Sequence, residues 1–302
     1  MPASTRDIKR RIKSVANTRK ITKAMELVAA SKMRRAIERV LASRSYSDLA
    51  WKTVQQLVEH TDTAGHPLLK QREIKRVAVL VIGSNRGLCG GFNLQTMSRV
   101  KQLVEKSGWS NQDVNIDYVS FGKKALHELT ISGRTVAADF IKDDTTDEVA
   151  DIVQLSNLLI QGYAAGQYDE IVVAYTHFHS SLKQEARIRH LLPVNRPSRY
   201  LGHVDKEQEN KVNTVIYSEY IFEPNKDQVL ESLLPRLVEV QLYQMVLESE
   251  ASEHSARMLA MRNASDAAND MINDLTLAFN QLRQAGITQE LAEISAGAQA
   301  MN

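Results

Sequence analysis

The sequence has few of the features that usually announce chemistry. It holds one cysteine, Cys89, in 302 residues; a single thiol excludes an internal disulfide framework and fits a reducing compartment. The apolar run Val77 to Ile82 is six residues long, and no stretch approaches the roughly 20 needed to span a bilayer, which excludes an integral membrane protein. No aromatic residue occurs before Tyr46. Glycine and proline are both missing between Ala3 and Ala64, and again between Arg236 and Ala285. That absence removes tight turns from the two stretches and predicts long, uninterrupted helices. Net charge is only +2, so whole-chain electrostatics select no class of partner.

The glycines, by contrast, are concentrated: 11 of 13 lie between Gly65 and Gly202. Three segments follow, an N-terminal helix over 1–64, a turn-rich α/β insert over 65–224, and a C-terminal helix over 225–302. For the first helix, Ser4 or Thr5 can cap the start and Asp7 favours the positive end of the dipole. Ile8, Ile12, Val15, Met25 and Val28 recur at three- and four-residue spacings along it. Asn225 can cap the last helix, with Gln228 completing a box-like pair, and Pro235 is expected to kink it early. Met261, Ala264, Ala268, Met271, Leu275, Ala278, Leu282 and Ala285 then alternate by three and four, the heptad seam of a left-handed coiled coil.

Length turns that seam into an argument. Residues 225–299 would make a helix of about 110 Å at ~1.5 Å per residue, whereas a 160-residue block is about 40 Å across. The helix therefore needs a partner beyond the insert, and the N-terminal helix, running antiparallel, is the obvious one. Asp266, Asp270 and Asp274 repeat at i, i+4, a like-charge stripe that basic residues of such a partner would offset. A metal on the stripe is the competing reading, but hard cations need more converging oxygens.

Within the insert, "RVAVLVIG" (76–83), "VNIDYVSFG" (114–122), "TVAADF" (135–140) and "EIVVAYTHF" (170–178) read as strands. Helical stretches "NLQTMSRVKQLVEKSG", "KKALHELTISG" and "TDEVADIVQLSNLLIQGYAAG" alternate with them. "ARIRHLLPV" and "VNTVIYSEYIF" add strand-like runs before the last helix. The fold class expected is an α/β insert with a three-layer, largely parallel sheet, joined to an antiparallel two-helix coiled coil formed by the chain ends.

"GSNRGLCGGFN" (83–93) is the one glycine-rich loop, and it poses the question of a phosphate cradle. A P-loop requires Lys then Ser or Thr after its last glycine, and Phe92 and Asn93 stand there. The glycines are spaced 4, 3 and 1, which is not a dinucleotide fingerprint, and Lys123 and Lys124 follow the second strand where a ribose-binding acid belongs. The loop reads as a turn needing positive φ before a helix. Ser84 is in no nucleophile elbow. His177 and His179 share a strand face without a third ligand. Cys89 suits the filling of a turn. No catalytic, cofactor or metal residue is assigned.

Three blocks then carry a resemblance: "IKRRIKSVANTRKITKAMELVAASKMRRA" near the start, "RGLCGGFN" after the first strand, and "ARMLAMRNASDAANDMINDLTLAFNQLRQAGITQELAEISAGAQA" at the end. Together, and in order over the whole chain, they resemble the gamma subunit of F-type ATP synthases of bacterial type. "GSNRG" departs from the more usual Asp before the Arg. The resemblance implies a central rotating shaft whose terminal helices stand inside a hexamer of three alpha and three beta subunits. Its α/β domain would grip the epsilon subunit and the ring of c subunits, coupling proton flow to ATP synthesis or hydrolysis on beta. It implies a non-catalytic subunit without cofactor, peripheral at the cytoplasmic face of the bacterial inner membrane.

By the same resemblance, Arg283, Gln284, Thr288 and Glu290 meet a loop of beta, where an arginine can clasp carboxylates and release them. Met25 would face a mobile arm of beta; ordinary coiled-coil core is its other reading. Twelve Lys or Arg lie in residues 1–39 against three acids. They then have acidic partners on the sister helix and on beta, and with no aromatic among them RNA binding is disfavoured. The inserted cysteine pair of chloroplast relatives is missing, so thiol control is not expected. The basic N-terminus imitates a transit peptide, but its helical pattern continues for some sixty residues without a cleavage-like break. A nucleotide-dependent α/β enzyme and a free-standing coiled-coil scaffold are the alternatives.

Overall fold

The computed structural model describes residues 5–59, 66–109, 114–142, 152–194 and 226–300. Helix α1 (Thr5–Glu59) is followed by β1 (Arg76–Ile82), α2 (Phe92–Ser107), β2 (Asn115–Phe121), α3 (Lys123–Ile131), β3 (Val136–Phe140), α4 (Val153–Ala164), β4 (Glu170–Phe178), β5 (Gln184–Leu192) and α5 (Lys226–Ala300). Asp7 lies in the first turn of α1, as expected. Ser4, Asn225 and the strand-like run "VNTVIYSEYIF" lie outside the described residues.

The five strands form one sheet in the order β3-β2-β1-β4-β5. β1 pairs in parallel with β2 and β4, and β2 in parallel with β3, while β5 returns antiparallel beside β4. The turn that reverses the chain is closed by Lys183 N–H donating to Ser180 O at 3.2 Å and Ser180 N–H to Lys183 O at 3.0 Å. This is the largely parallel sheet expected, with one antiparallel edge.

The two faces of β1 explain its unbroken apolar run. Val77, Val79 and Val81 pack with Val100 and Leu103 of α2 and Ala125 and Leu129 of α3. Ala78, Leu80 and Ile82 pack with Leu155, Leu159 and Tyr163 of α4 on the other side. Side chains alternate across a strand, so a strand covered on both faces has no polar position left. The third layer is more than an insert helix, however. Leu230, Leu234, Leu237, Val238, Leu242, Met245 and Val246 of α5 belong to the same core cluster, so the first turns of the terminal helix are part of the sheet's cover. Helix α5 continues through Pro235.

The chain divides into two compact units, Met1–Ser31 with Arg257–Asn302, and Lys32–Ala256. In the first, α1 and α5 run antiparallel: Arg19 donates to Asn269 Oδ1 at 2.7 Å, and the hydroxyls of Thr22 and Ser265 meet at 2.7 Å. The pairing is as expected, but the seam is not the one read from apolar residues alone. Met261 and Ala268 are buried and Leu275 is half-buried, whereas Met271 is 52% exposed. Ser265 (buried) and Ile272 (half-buried) take the intervening positions, one residue along from Ala264 and Met271. On α1, Val28 is exposed and Ala29 buried beside it. A polar serine has no place in an apolar repeat, yet the Ser265 hydroxyl is satisfied by Thr22 and its small size suits a close helix pair.

Candidate partner-contact site

The glycine loop after β1 is built to hold its own shape. Gly83 N–H donates to Phe121 O at 2.9 Å, and a side chain on Gly83 would meet Ala125 Cβ at 2.8 Å. Gly122 has φ 106°, and a Cβ there would lie 2.6 Å from Gly83 O. The two glycines thus let the ends of β1 and β2 touch, and Gly90 (φ 59°) supplies the positive φ before α2. Leu88, not a glycine, also takes positive φ, at 62°. Inside the loop, Asn93 Oδ1 accepts the Ser84 N–H at 3.0 Å and its Nδ2 donates to Ser84 Oγ at 2.8 Å. Cys89 is buried against the same group, its sulfur 3.5 Å from Asn93 Nδ2. Asn85 Nδ2 donates to Lys142 O, and Asn85 Oδ1 accepts the Lys123 N–H at 3.3 Å. Ser84 and Asn93 thus bond to each other within the loop, and Asn85 bonds to the backbone of Lys123 and Lys142 beside it.

The expected partner contacts lie on the helical unit. Arg283, Gln284, Thr288 and Glu290 are exposed on α5, as is every residue from 280 to 297. With Thr22 opposite Ser265, Ile8 falls opposite Phe279 and Thr5, the first described residue of α1, opposite Leu282. Thr288 Oγ1 donates to the Gln284 carbonyl at 2.9 Å, within its own helix. Arg283 and Glu290 have no ion pair among the described residues. Met25 is half-buried and lies in line with Ile21 (61% exposed) and Val28 (59% exposed), at the border between seam and outer face. Asp266, Asp270 and Asp274 are also exposed, and no ion pair joins them to α1 among the described residues. The expected offset by α1 cations is therefore not made; α1 meets this turn of α5 through Arg19 and Asn269 instead. No group of three or more metal-ligating side chains occurs among the described residues.

A second polar assembly was missed from sequence. Helix α5 is buried on nearly every side between Val240 and Arg257, although the stretch includes Glu248, Ser249, Glu250, Ser252, Glu253, His254 and Ser255. Glu253 meets Lys142 Nζ at 2.9 Å, with side-chain exposures of 8% and 4%. Glu248 Oε2 accepts from His177 Nδ1 at 2.5 Å, and its Oε1 accepts from Gln244 Nε2 at 3.2 Å. Gln244 Oε1 accepts from Ser43 of α1 at 2.6 Å, and Ser252 donates to the Thr176 carbonyl at 3.3 Å. His177, read above only as half of an improbable zinc pair, is thus a link to α5. His179 instead pairs with Glu185 at 3.1 Å, which Arg187 also meets at 3.1 Å. Burial pushes the Glu185 carboxyl up, but the hydrogen bond from His179 and the charge of Arg187 outweigh it and hold it low. The available signal was "ESEASEH": a helical stretch with no apolar stripe, set between apolar turns, must find partners for its polar groups.

These features define a class: a sheet domain whose chain ends leave as paired helices, with exposed side chains gathered at the bare end of the longer one. Comparison with known proteins narrows it. The family model described as ATP synthase matches residues 4–301. The chain is 41% identical to the ATP synthase gamma chain of Herpetosiphon aurantiacus over 308 residues, covering 99% of each. It is 40% identical to that of Chloroflexus aurantiacus, covering 100% of this chain and 99% of the relative. The fold is shared with a chain of the Euglena gracilis mitochondrial ATP synthase (OSCP/F1/c-ring), at TM-score 0.67, 19% identity, and 98% and 94% coverage. It is shared too with a chain of the Tetrahymena thermophila mitochondrial ATP synthase central stalk and c-ring, at TM-score 0.60, 23% identity, and 81% and 99% coverage. The chain belongs to the family of ATP synthase gamma chains.

Proposed function

We propose that this chain is the central-stalk rotor subunit of an F-type ATP synthase, coupling proton flow through the membrane sector to ATP synthesis or hydrolysis by rotation. In this reading its helical unit stands within three alpha and three beta subunits. Its sheet domain meets epsilon and the c-ring. The chain itself carries no catalytic group, the chemistry belonging to beta, and it is peripheral on the cytoplasmic face of a bacterial inner membrane. Arg283, Gln284, Thr288 and Glu290 make hydrogen bonds to a loop of beta, and Met25 presents a soft thioether to a moving arm of the same subunit. The exposure of Arg283, Gln284, Thr288 and Glu290 on α5 supports that role, because a contact with a neighbour needs side chains open to it.

The observation that carries the reading is the end-to-end likeness to gamma chains, at about two residues in five, with both chains covered almost completely. Affinity purification of the tagged chain followed by subunit mass spectrometry tests it. One copy accompanied by alpha and beta is the expected result. A self-assembled oligomer with neither subunit would overturn it.

A further inference from the structure

We propose that the hydrogen-bond chain Ser43–Gln244–Glu248–His177, which lies wholly within the unit Lys32–Ala256, is the contact through which turning force passes between β4 of the sheet and the stretches of α1 and α5 packed in that same unit, with Glu248 and His177 as its positioning residues. The inference rests on the rotor reading above. A rotor whose foot and shaft are parts of one chain works only if the two turn together. The apolar contacts at this place, Ala36, Val40, Phe178, Leu247 and Ala251, favour burial but are non-directional, so they resist sliding weakly. Hydrogen bonds to a charged group fix distance and angle.

The chain of bonds joins three elements in sequence. Ser43 Oγ of α1 donates to Gln244 Oε1 of α5 at 2.6 Å. Gln244 Nε2 donates to Glu248 Oε1 at 3.2 Å, one turn along the same helix. Glu248 Oε2 then accepts from His177 Nδ1 of β4 at 2.5 Å. His177 stands edge-on to His179, with ring centroids 4.5 Å apart, and His179 leads to Glu185 of β5 at 3.1 Å. One turn further on, Ser252 donates to the Thr176 carbonyl of β4 and Glu253 pairs with Lys142, just past β3. Glu248 is 5% and Gln244 6% exposed. Leucine at either place would pack without the cost of desolvating polar groups. A polar chain that crosses from α1 through α5 to the sheet makes sense where relative position, more than stability, is what must be held.

The test uses the assembled complex in inverted membrane vesicles, with ATP hydrolysis and ATP-driven proton uptake measured on the same preparation. In Glu248→Leu and Gln244→Leu, the ratio of proton uptake to hydrolysis is expected to fall roughly threefold or more, since hydrogen bonds to a buried charge are among the stronger ones. Hydrolysis stays close to the parent rate. Glu248→Gln keeps an acceptor toward Gln244 and gains a donor toward the imidazole, and it is expected to restore the ratio. A role in packing alone predicts that leucine and glutamine behave alike, and that result overturns the proposal. Failure of both leucine variants to assemble with alpha and beta assigns the network to folding and also overturns it. Absence of alpha and beta from the parent preparation is a separate result that sinks the rotor reading itself.

Discussion

Thr22 and Ser265 occupy seam positions where aliphatic side chains are the common filling, and each hydroxyl finds the other at 2.7 Å with 9% and 7% of the residue exposed. Thr22 Oγ1 also donates to the Arg19 carbonyl at 3.0 Å, so it is Ser265 that is left a buried hydroxyl without this partner when Thr22 is truncated, which costs about 1–3 kcal/mol. Thr22→Val is therefore expected to lower the chemical-unfolding free energy of the chain, and Thr22→Val combined with Ser265→Ala to recover part of the loss in a double-mutant cycle. A pair that proves additive would show the hydroxyls to be independent. Tyr175 gives a prediction in pH. Burial, reinforced by Glu248, pushes its phenol up to about 12, against the smaller opposing pull of Arg189 and Arg187. An unfolded tyrosine ionises near 10. The stability this group contributes is thus complete below about pH 10 and is lost as pH climbs toward 12, by about 2–3 kcal/mol. Urea midpoints between pH 8 and pH 11 should fall less steeply for Tyr175→Phe than for the parent chain.

At the scale of elements, register decides what is exposed. On α5 every residue from 280 to 297 is exposed, and Leu282 falls opposite Thr5, the first described residue of α1. Deleting residues 284–302 is expected to leave the melting of the sheet domain unchanged while impairing coupling of hydrolysis to proton uptake; melting of the whole chain at a much lower temperature would contradict this. Helices were legible because the absence of glycine and proline is a strong signal over fifty residues. β1 was legible because a doubly covered parallel strand leaves no polar interior position; in β4 the apolar run Ile171–Ala174 gave the signal, although Glu170 and Thr176 are buried beside it. The seam was legible in period but not in phase: heptad counting admits either i+3 or i+4 as the second position, and only the Thr22–Ser265 bond chooses. Helix α5 between Gln244 and Arg257 was illegible, since a polar stretch looks like a solvated face until its partners on β4 and α1 are known. Of the expected contact residues, only their place on one helix end could be anticipated; what they touch depends on other chains.

For the molecule as a whole, stability should be uneven. The unit Lys32–Ala256 holds the two large apolar clusters on either side of the sheet. In the helical unit, the buried apolar residues are Ile8, Ala29, Met261 and Ala268 among the described residues, two of the four being alanines. Amide hydrogen exchange is expected to be slow in β1, β2 and β4 and faster by orders of magnitude over residues 5–31 and 257–300, where opening needs little apolar surface to be given up. Equal protection across the two would refute that ranking. The bare end of α5 carries the matter furthest. From residue 283 to 300 it would be about 27 Å of helix at ~1.5 Å per residue, and it includes Gly286 and Gly297, where an added Cβ would stand in open space. Glycine weakens a solvated helix by about 1 kcal/mol, and single helices of this length are marginal in water. Order at this tip is hence borrowed from whatever sleeve encloses it: a spectroscopic label at the terminus would report, by stiffening, the moment the subunit is seated.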